Sequence, residues 1–235
     1  MKNLTLLVLI ILATSINCFS QEIEYINTDR PDQSDGVYTL TKNKIQIEDG
    51  ITVGKETYLN NLMVRYGLTK LTEVRILLDM GQSEGVKGVL PVTFSLKQRL
   101  IKQNKLIPAI TFVGYIAAGP LASNKFNDND FPTELKLAFE NEISDQFAIG
   151  YNAGTSDWFK NLNLTCNGSF ATSDRSSIFL EYFSTFAQNS SQHNIDTGFL
   201  YSLTPKLQID CALGCSIFDE NDNLFFTCGI GYKID

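Results

Sequence analysis

The sequence predicts an all-β protein, a 12-stranded antiparallel up-and-down transmembrane β-barrel. Three observations predict this fold class. Stretches of about ten residues with alternating apolar and polar residues recur between Lys44 and Asp235, turn residues separate them, and nearly every ionisable strand residue lies in the polar register. Alternation places successive side chains on opposite faces of a strand. The bulky apolar face is therefore expected to contact lipid.

The stretch from Leu207 to Ile217 shows this pattern most clearly. One face is bulky and apolar, whereas the other is small, polar or charged. The stretch from Leu224 to Ile234 repeats the pattern and resembles the carboxy-terminal strand that outer-membrane assembly machinery recognises. We therefore expect outer-membrane lipid and the assembly machinery as partners. The apolar residues of the first stretch are Leu207, Ile209, Cys211, Leu213, Cys215 and Ile217.

The same reasoning places the other strands and their connections. The connections alternate between short and long, as in a barrel with one periplasmic and one external rim. The short ones are then periplasmic, and an even strand count puts both termini on that side. Short connections are expected at 69–71, 101–105, 143–145, 173–175 and 204–206, and long ones at 81–88 and 119–131. The predicted strands are 44–53, 59–68, 72–80, 89–100, 106–118, 132–142, 146–155, 162–172, 176–186, 193–203, 207–217 and 224–234.

The start of the chain predicts export. Residues 1–20 contain Lys2, then an apolar run from Leu4 to Ala13, then a polar end, which is typical of a signal peptide. Residues 21–43 are then a periplasmic amino-terminal segment, and 44–235 are the barrel domain. No stretch reaches eighteen consecutive apolar residues, which excludes a helical membrane protein but not a barrel. The expected location is the outer membrane of a Gram-negative bacterium.

The composition limits the partners and cofactors. With 26 acidic and 19 basic residues, the net charge is −7, so nucleic acid is not an expected partner. We expect no cofactor and no metal site. A disulfide between Cys215 and Cys228 is the alternative to cysteines that simply face lipid. The cysteines predicted on the outward face are Cys166, Cys211, Cys215 and Cys228.

Charged strand residues are expected to face the lumen. A basic side chain facing lipid at mid-membrane costs about 2 to 4 kcal/mol, which fixes the register of each strand. Four of these residues lie on the second and third strands and are the best candidates for a mixed-charge constriction. The alternative is a structural ion-pair network in a closed lumen. The predicted lumen or constriction residues are Arg65, Glu73, Arg75, Asp79, Lys97, Glu140, Glu181, Asp196 and Asp210.

A charged motif precedes the first strand. Pro31 restrains this motif from joining the sheet, because proline lacks a backbone N–H. We expect the motif to fold back into the periplasmic mouth as a plug, with Arg30 meeting Glu181 or Asp210. A disordered periplasmic tail is the alternative. The predicted plug residues are Asp29, Arg30, Pro31 and Asp32.

Residues Asn27 to Ser34 resemble the amino-terminal signature of a family of outer-membrane β-barrel transporters named after the meta-pathway of phenol degradation. The resemblance covers nearly the whole chain after the signal peptide. It implies an outer-membrane channel or transporter, and it carries no catalytic residues across. Further stretches that fall in the family's order are Val64 to Leu68, Glu73 to Arg75, Ser95 to Lys97, Pro108 to Ile110, Asp196 to Tyr201 and Leu207 to Asp210.

The expected function is a channel or transporter, not an enzyme. It would allow passive diffusion of a small solute, with a hydrophobic or aromatic body as the favoured class. One alternative is an outer-membrane hydrolase with a triad built around His193, the sole histidine, which lies near Ser190 and Ser191. Another is a structural or adhesion barrel with a closed lumen that displays the loop 119–131. The polar run in this loop lacks the spacing of an EF-hand calcium site. A soluble β-sandwich is the rival fold, and it would need large apolar residues inside.

Overall fold

The computed structural model describes residues 25–218 and 223–234, so the predicted signal peptide lies outside the described residues. Within these ranges, thirteen β-strands form one antiparallel sheet. The pairing of β1 with both β2 and β13 closes the sheet into a barrel. The strands are β1 Ile45–Gly54, β2 Thr57–Gly67, β3 Thr72–Ser83, β4 Val86–Val89, β5 Val92–Ile101, β6 Ala109–Ala118, β7 Thr133–Glu142, β8 Phe147–Ser156, β9 Asn161–Ser173, β10 Ser176–Ala187, β11 Ser190–Thr204, β12 Leu207–Ile217 and β13 Leu224–Ile234.

Two of these strands are parts of one barrel strand. Both β4 and β5 pair with β3, and the break between them falls at Leu90 and Pro91. Proline has no backbone N–H to donate to a neighbouring strand, which accounts for the interruption. The described residues therefore form a closed 12-stranded antiparallel barrel, and the predicted fold class is confirmed.

The expected long connection at 81–88 is wrong. Strand β3 continues to Ser83, and β4 begins at Val86, so this region is a β-hairpin. Its turn residues Glu84 and Gly85 have φ angles of 48° and 79°. A two-residue turn with positive φ at both positions matches the right-handed twist of the strands, and glycine adopts it readily.

The connections at the two rims differ less in length than the sequence predicts. We define the terminal rim as the one where β1 begins and β13 ends, because Ile45 pairs there with Ile234. Two-residue connections occur at the terminal rim, at 174–175 and 205–206, and also at the opposite rim, at 55–56 and 188–189. The long connection 119–132 at the opposite rim carries the short 3-10 helix Gly119–Leu121. No helix in the described residues is long and apolar enough to cross a membrane.

The side-chain register agrees with the sequence. Leu213 and Ile230 are 48% and 43% exposed on the outer wall, whereas Asp196 and Asp210 are 2% and 6% exposed inside. Other strands share this arrangement, since the largest fully buried side chains are mostly charged or polar. The core of the molecule is thus a polar lumen, and the apolar surface faces outward.

The four cysteines in the described part of the chain are free thiols. The cross-strand neighbour of Cys228 is Cys211, whereas Cys215 lies opposite Leu224. The alternative of a disulfide between Cys215 and Cys228 therefore does not match the register, because the two residues are not directly opposite each other.

Candidate functional site

The amino-terminal segment, which we define as Tyr25 to Thr41, runs inside the barrel. At the terminal rim, the Ile26 N–H donates a hydrogen bond to the Pro205 carbonyl at 2.9 Å. The chain then turns within the lumen and returns to the same rim, where the Leu40 N–H donates to Glu73 Oε2 at 2.6 Å. The aliphatic side chains of the segment, Ile26, Val37 and Leu40, are buried.

Two glycines on the barrel wall make room for the segment. A Cβ at Gly50 on β1 would lie 2.2 Å from Arg30 Cζ, and one at Gly229 on β13 would lie 2.5 Å from Arg30 Nε. No heavy atom fits at such distances. A small residue at these two paired positions is therefore what allows the Arg30 guanidinium to lie flat against the wall.

Four inward basic residues line one side of the lumen, and we call them the basic ladder. Arg65, Arg75 and Lys97 lie on three neighbouring barrel strands, and Lys136 lies two strands beyond Lys97. Arg65 is directly opposite Arg75. Like charges placed opposite each other across a strand pair are destabilising unless anions lie between them. The ladder consists of Arg65 on β2, Arg75 on β3, Lys97 on β5 and Lys136 on β7.

Carboxylates of the wall supply some of these anions. Arg65 binds Glu48 through Nη1 at 2.6 Å and Glu73 through Nε at 2.8 Å. Arg75 Nε also binds Glu73 at 2.8 Å. The structure thus brings together three of the four predicted constriction residues. Asp79 lies apart from them and accepts a hydrogen bond from Asn61 at 2.8 Å.

Asp29 of the segment supplies a further anion. Its carboxylate lies 2.6 Å from Arg75 Nη2, 2.9 Å from Lys97 Nζ and 3.5 Å from Arg65 Nη2. Burial would raise the pKa of Asp29, but Arg65, Arg75 and Lys97 outweigh it and hold this pKa below its usual value. The Asp29 carboxylate is therefore charged and is shared by three basic side chains.

Asp35 occupies the other end of the ladder. Its carboxylate lies 2.8 Å from Arg75 Nη1 and 3.0 Å from Lys136 Nζ, and it accepts a hydrogen bond from the Tyr115 hydroxyl at 2.6 Å. Burial opposes ionisation, yet Lys136 and Arg75 hold the pKa of Asp35 well below its usual value. One guanidinium, that of Arg75, thus binds two carboxylates of the segment.

The other side of the lumen is acidic, and we define the acidic side as Glu181 on β10, Asp196 on β11 and Asp210 on β12. Glu181 accepts hydrogen bonds from the Gln33 N–H at 2.7 Å and from the Ser34 hydroxyl. Asp196 is directly opposite Glu181 in the sheet. This side therefore holds carboxylates next to one another.

Arg30 and Asp32 of the segment lie toward the acidic side. Arg30 Nη2 is 3.4 Å from Asp210 and donates to Thr227 at 2.9 Å, so the contact with Asp210 forms. Asp32 accepts a hydrogen bond from Asn167 at 2.7 Å. Burial and the neighbouring carboxylates, first that of Glu181, raise the pKa of Asp32 well above its usual value.

Recesses open at both rims. The recess at the opposite rim has a volume of about 630 Å³ and is lined by residues that include Thr52, Asn194 and Phe225. The recess at the terminal rim measures about 520 Å³ and is lined in part by both ends of the segment. A smaller cavity of about 180 Å³ lies beside the segment and includes the predicted residue Glu140 in its wall. The turn of the segment, residues 29–35, lies in the lumen between the two rims.

Sequence reasoning missed several residues that hold the segment. Asp35 carried no feature that set it apart from the other acidic residues before β1. Tyr115 is an aromatic residue in an apolar strand, and such residues are usually expected on the outer wall. The alternation in β6 was a usable signal, because Tyr115 shares a register with Thr111, whereas the bulky apolar Phe112 and Ile116 take the opposite one. Asn152 and Asn167 are neutral, and their inward register alone did not indicate a contact with the amino-terminal segment.

The histidine of the chain lies near the opposite rim. His193 Nδ1 is 2.7 Å from the Tyr182 hydroxyl, and Nε2 is 3.1 Å from Ser191 Oγ. The ring also packs edge-on against Phe186 and Phe218. The partner of Nδ1 is thus a tyrosine, whereas in a hydrolytic triad a carboxylate or amide orients the histidine.

Comparisons with known proteins agree with this architecture. The model of the family described as "Putative MetA-pathway of phenol degradation" matches residues 28–234. None of the curated proteins compared with the chain matches it.

Three solved structures illustrate the likeness of fold. The COG4313 outer membrane channel from Pseudomonas putida F1 is similar with a TM-score of 0.65 at 13% identity, over 87% of this chain and 100% of that one. The KdgM porin has a TM-score of 0.64 at 9% identity, over 81% of this chain and 99% of that one. The NanC porin has a TM-score of 0.62 at 8% identity, over 81% of this chain and 100% of that one. At these identities the likeness concerns the fold.

Proposed function

We propose that this chain, which belongs to the family described as "Putative MetA-pathway of phenol degradation", is a passive channel for small solutes in the outer membrane of a Gram-negative bacterium. The observation that carries the proposal is a closed sheet with apolar side chains outside and charged side chains inside. Closure leaves no strand edge unpaired. A sheet in hydrocarbon must meet this condition, because unpaired backbone groups are costly there. A wet interior within such a sheet is the structural basis of a diffusion channel.

The solved structures of similar fold support this proposal. Their names describe one as an outer membrane channel and two as porins. A barrel of twelve strands is also wider than the eight-stranded kind that side chains can fill. We therefore propose that the recesses at the two rims are the ends of a solute path. A hydrophobic or aromatic body for the solute stays a prediction.

We also propose that the amino-terminal segment closes this path as a plug. Its turn is held from both sides of the lumen, by Arg75 on one side and by Glu181 on the other. Each contact crosses from the segment to the wall rather than staying within the segment. The charged residues of the constriction would then interact with solutes only when the segment moves.

Planar bilayer recordings test the channel and the plug separately. The full-length protein is compared with a variant that lacks residues 22–35, and with a variant in which 29–35 are replaced by a glycine and serine linker of equal length. We expect both variants to conduct more current than the full-length protein, because the lumen is freed. If no form conducts, the channel proposal fails. If all forms conduct equally, the plug proposal fails, provided that heat-dependent gel mobility shows folded barrels.

Membrane location has a simpler test. We expect the protein to partition with the outer membrane and to stay there in high salt, because its apolar outer wall contacts lipid. Release by salt would contradict this proposal. Recognition by the assembly machinery is part of the same proposal, and truncation of β13 should prevent insertion.

We further propose that the chain is not a hydrolase. The contact between His193 and Tyr182 can position the ring but supplies no carboxylate to stabilise a charged histidine. We predict that His193→Ala leaves lipid hydrolysis by purified protein at the background rate of the unaltered protein. The measurement is release of fatty acid from phospholipid vesicles, with Ser191→Ala as the matched variant. A hydrolytic activity that both substitutions abolish would contradict this proposal.

A further inference from the structure

The basic ladder holds the two carboxylates of the segment as it would hold a ligand. Asp29 and Asp35 come from another part of the chain, and each reaches at least two basic side chains of the wall. The guanidinium of Arg75 contacts both, at 2.6 Å through Nη2 and at 2.8 Å through Nη1. Two carboxylates thus lie within the reach of one planar fork, which suits this kind of recognition.

The ladder needs these carboxylates. Lys97 is fully buried, and Asp29 is the carboxylate within ion-pair distance of it among the described residues. Lys136 binds Asp35 and otherwise Glu134, which is about a third exposed. A buried ammonium without an anion is costly, so displacement of the segment leaves a cluster of cations that an anionic solute can neutralise.

The wall around this site can also contact the uncharged part of a ligand. The Tyr115 hydroxyl donates to Asp35, and the Lys136 ammonium lies 5.2 Å from the centre of the Tyr115 ring. The ring offers a flat surface beside the carboxylate positions. Either an aliphatic or an aromatic carbon skeleton is therefore compatible with the site.

We infer that the lumen binds small organic dicarboxylates, whose two carboxylates take the places of Asp29 and Asp35 on the basic ladder during passage. The inference rests on the proposed channel function and names its solute class. The segment is then a tethered competitor, because it presents the same two groups from within the chain. A short spacing between the two carboxylates is required, since one guanidinium must reach both.

Uptake into liposomes tests the solute class. The full-length protein is reconstituted, and entry of labelled succinate is compared with entry of labelled arabinose, a neutral solute of similar size. We expect faster entry of succinate, and we expect phthalate to slow it by competition. If arabinose enters and succinate enters no faster, the inference fails while the channel proposal stands. If neither solute enters, even with residues 22–35 deleted, the channel proposal itself fails.

Two substitutions in the segment give a matched pair. Asp29→Asn and Asp32→Asn each replace one aspartate of the segment with an amide of the same shape, but Asp29 lies on the basic ladder and Asp32 lies toward the acidic side. We expect Asp29→Asn to raise the rate of succinate entry about tenfold, equivalent to about 1.4 kcal/mol, because the competitor loses one of its two groups. Asp32→Asn should not raise it. Equal increases in both variants would overturn the inference.

A variant of the wall provides an independent readout. Lys136→Gln removes one cation of the ladder where the side chain is partly accessible, so the barrel should still fold. We expect the preference for succinate over arabinose to fall while arabinose entry persists. An unchanged preference in this variant would also overturn the inference. Heat-dependent gel mobility shows which variants are folded.

Discussion

The basic ladder and the acidic side line the same lumen, but their charges are satisfied in different ways. Every cation of the ladder has a carboxylate within 3.0 Å, and two of these carboxylates come from the amino-terminal segment. On the acidic side, Arg30 reaches Asp210 at 3.4 Å, and Glu181 receives neutral donors of the segment. The segment is therefore bound by opposite charges on one side and mainly by neutral hydrogen bonds on the other.

This difference indicates where the segment is held most strongly. Ion pairs that are buried and hydrogen-bonded are costly to break, because each break leaves a buried charge. On the acidic side, Asp32 adds a carboxyl group to a region that already holds Glu181 and Asp196. We expect the segment to detach first from the acidic side and last from the ladder.

The largest predicted effect comes from breaking the ladder at Arg75. Arg75→Gln removes the guanidinium that contacts Glu73, Asp29 and Asp35 together, so each of these buried carboxylates loses one cationic partner. We expect a loss of about 3 kcal/mol in the free energy of unfolding. The measurement is denaturant unfolding of the barrel in lipid vesicles.

Arg99→Gln is the matched control for this loss. Arg99 lies at the terminal rim, with its guanidinium 5.3 Å from the centre of the Tyr38 ring. Removal of such a contact should cost about 0.5 to 1 kcal/mol. Equal losses in the two variants would show that the ladder is no stronger than a rim contact.

The strands of the barrel could be predicted from the sequence, because alternation is a local signal. The predicted strand 207–217 agrees with β12, and 224–234 agrees with β13. The errors fall where backbone chemistry overrides the pattern. Pro91 splits one barrel strand, and the turn at Glu84 and Gly85 converts a predicted loop into a hairpin.

The contacts of the lumen could be predicted only in part. Alternation shows that Arg65 and Asp79 face inward, but it does not show which charges meet across the lumen. Those contacts depend on the path of the segment, which has no regular structure and therefore no periodic signal. Asp35 binds the ladder because the chain turns before it. Pro31, Ser34 and Gly36 favour a turn, but they do not indicate which wall residues the turn will face.

Binding of the segment in the lumen should depend on pH. The pKa of Asp32 is raised when the segment is seated, that is, bound in the lumen. At a pH above the ordinary aspartate pKa of about 3.9, seating of the segment therefore takes up a proton. Seating is then favoured at low pH and weakens as the pH rises, by up to about 1.4 kcal/mol per pH unit. We expect channel opening to increase from about pH 4 toward neutral pH. Asp32→Asn should abolish this increase.

Asp29 and Asp35 contribute to the pH dependence of seating with the opposite sign. Their pKa values are lowered when the segment is seated, so they favour seating above the ordinary aspartate pKa. This contribution is lost as the pH falls through their lowered pKa values. Opening at strongly acidic pH should therefore persist in Asp32→Asn. An alkaline increase that survives in Asp32→Asn would mean that another group takes up the proton.

The smallest effect on stability is expected within the acidic side. Asp196 is buried opposite Glu181, and neither of its carboxylate oxygens accepts a hydrogen bond from a described residue. Asp196→Asn replaces one of two facing acids with an amide that can donate to Glu181. We expect no loss of unfolding free energy, or a gain of about 0.5 to 1 kcal/mol. Asp210→Asn is the control, because Asp210 has Arg30 as a partner, and its neutralisation should lower stability by a similar amount. If both variants lose stability equally, Asp196 has a cationic partner in solution, and the acidic side is as well paired as the ladder.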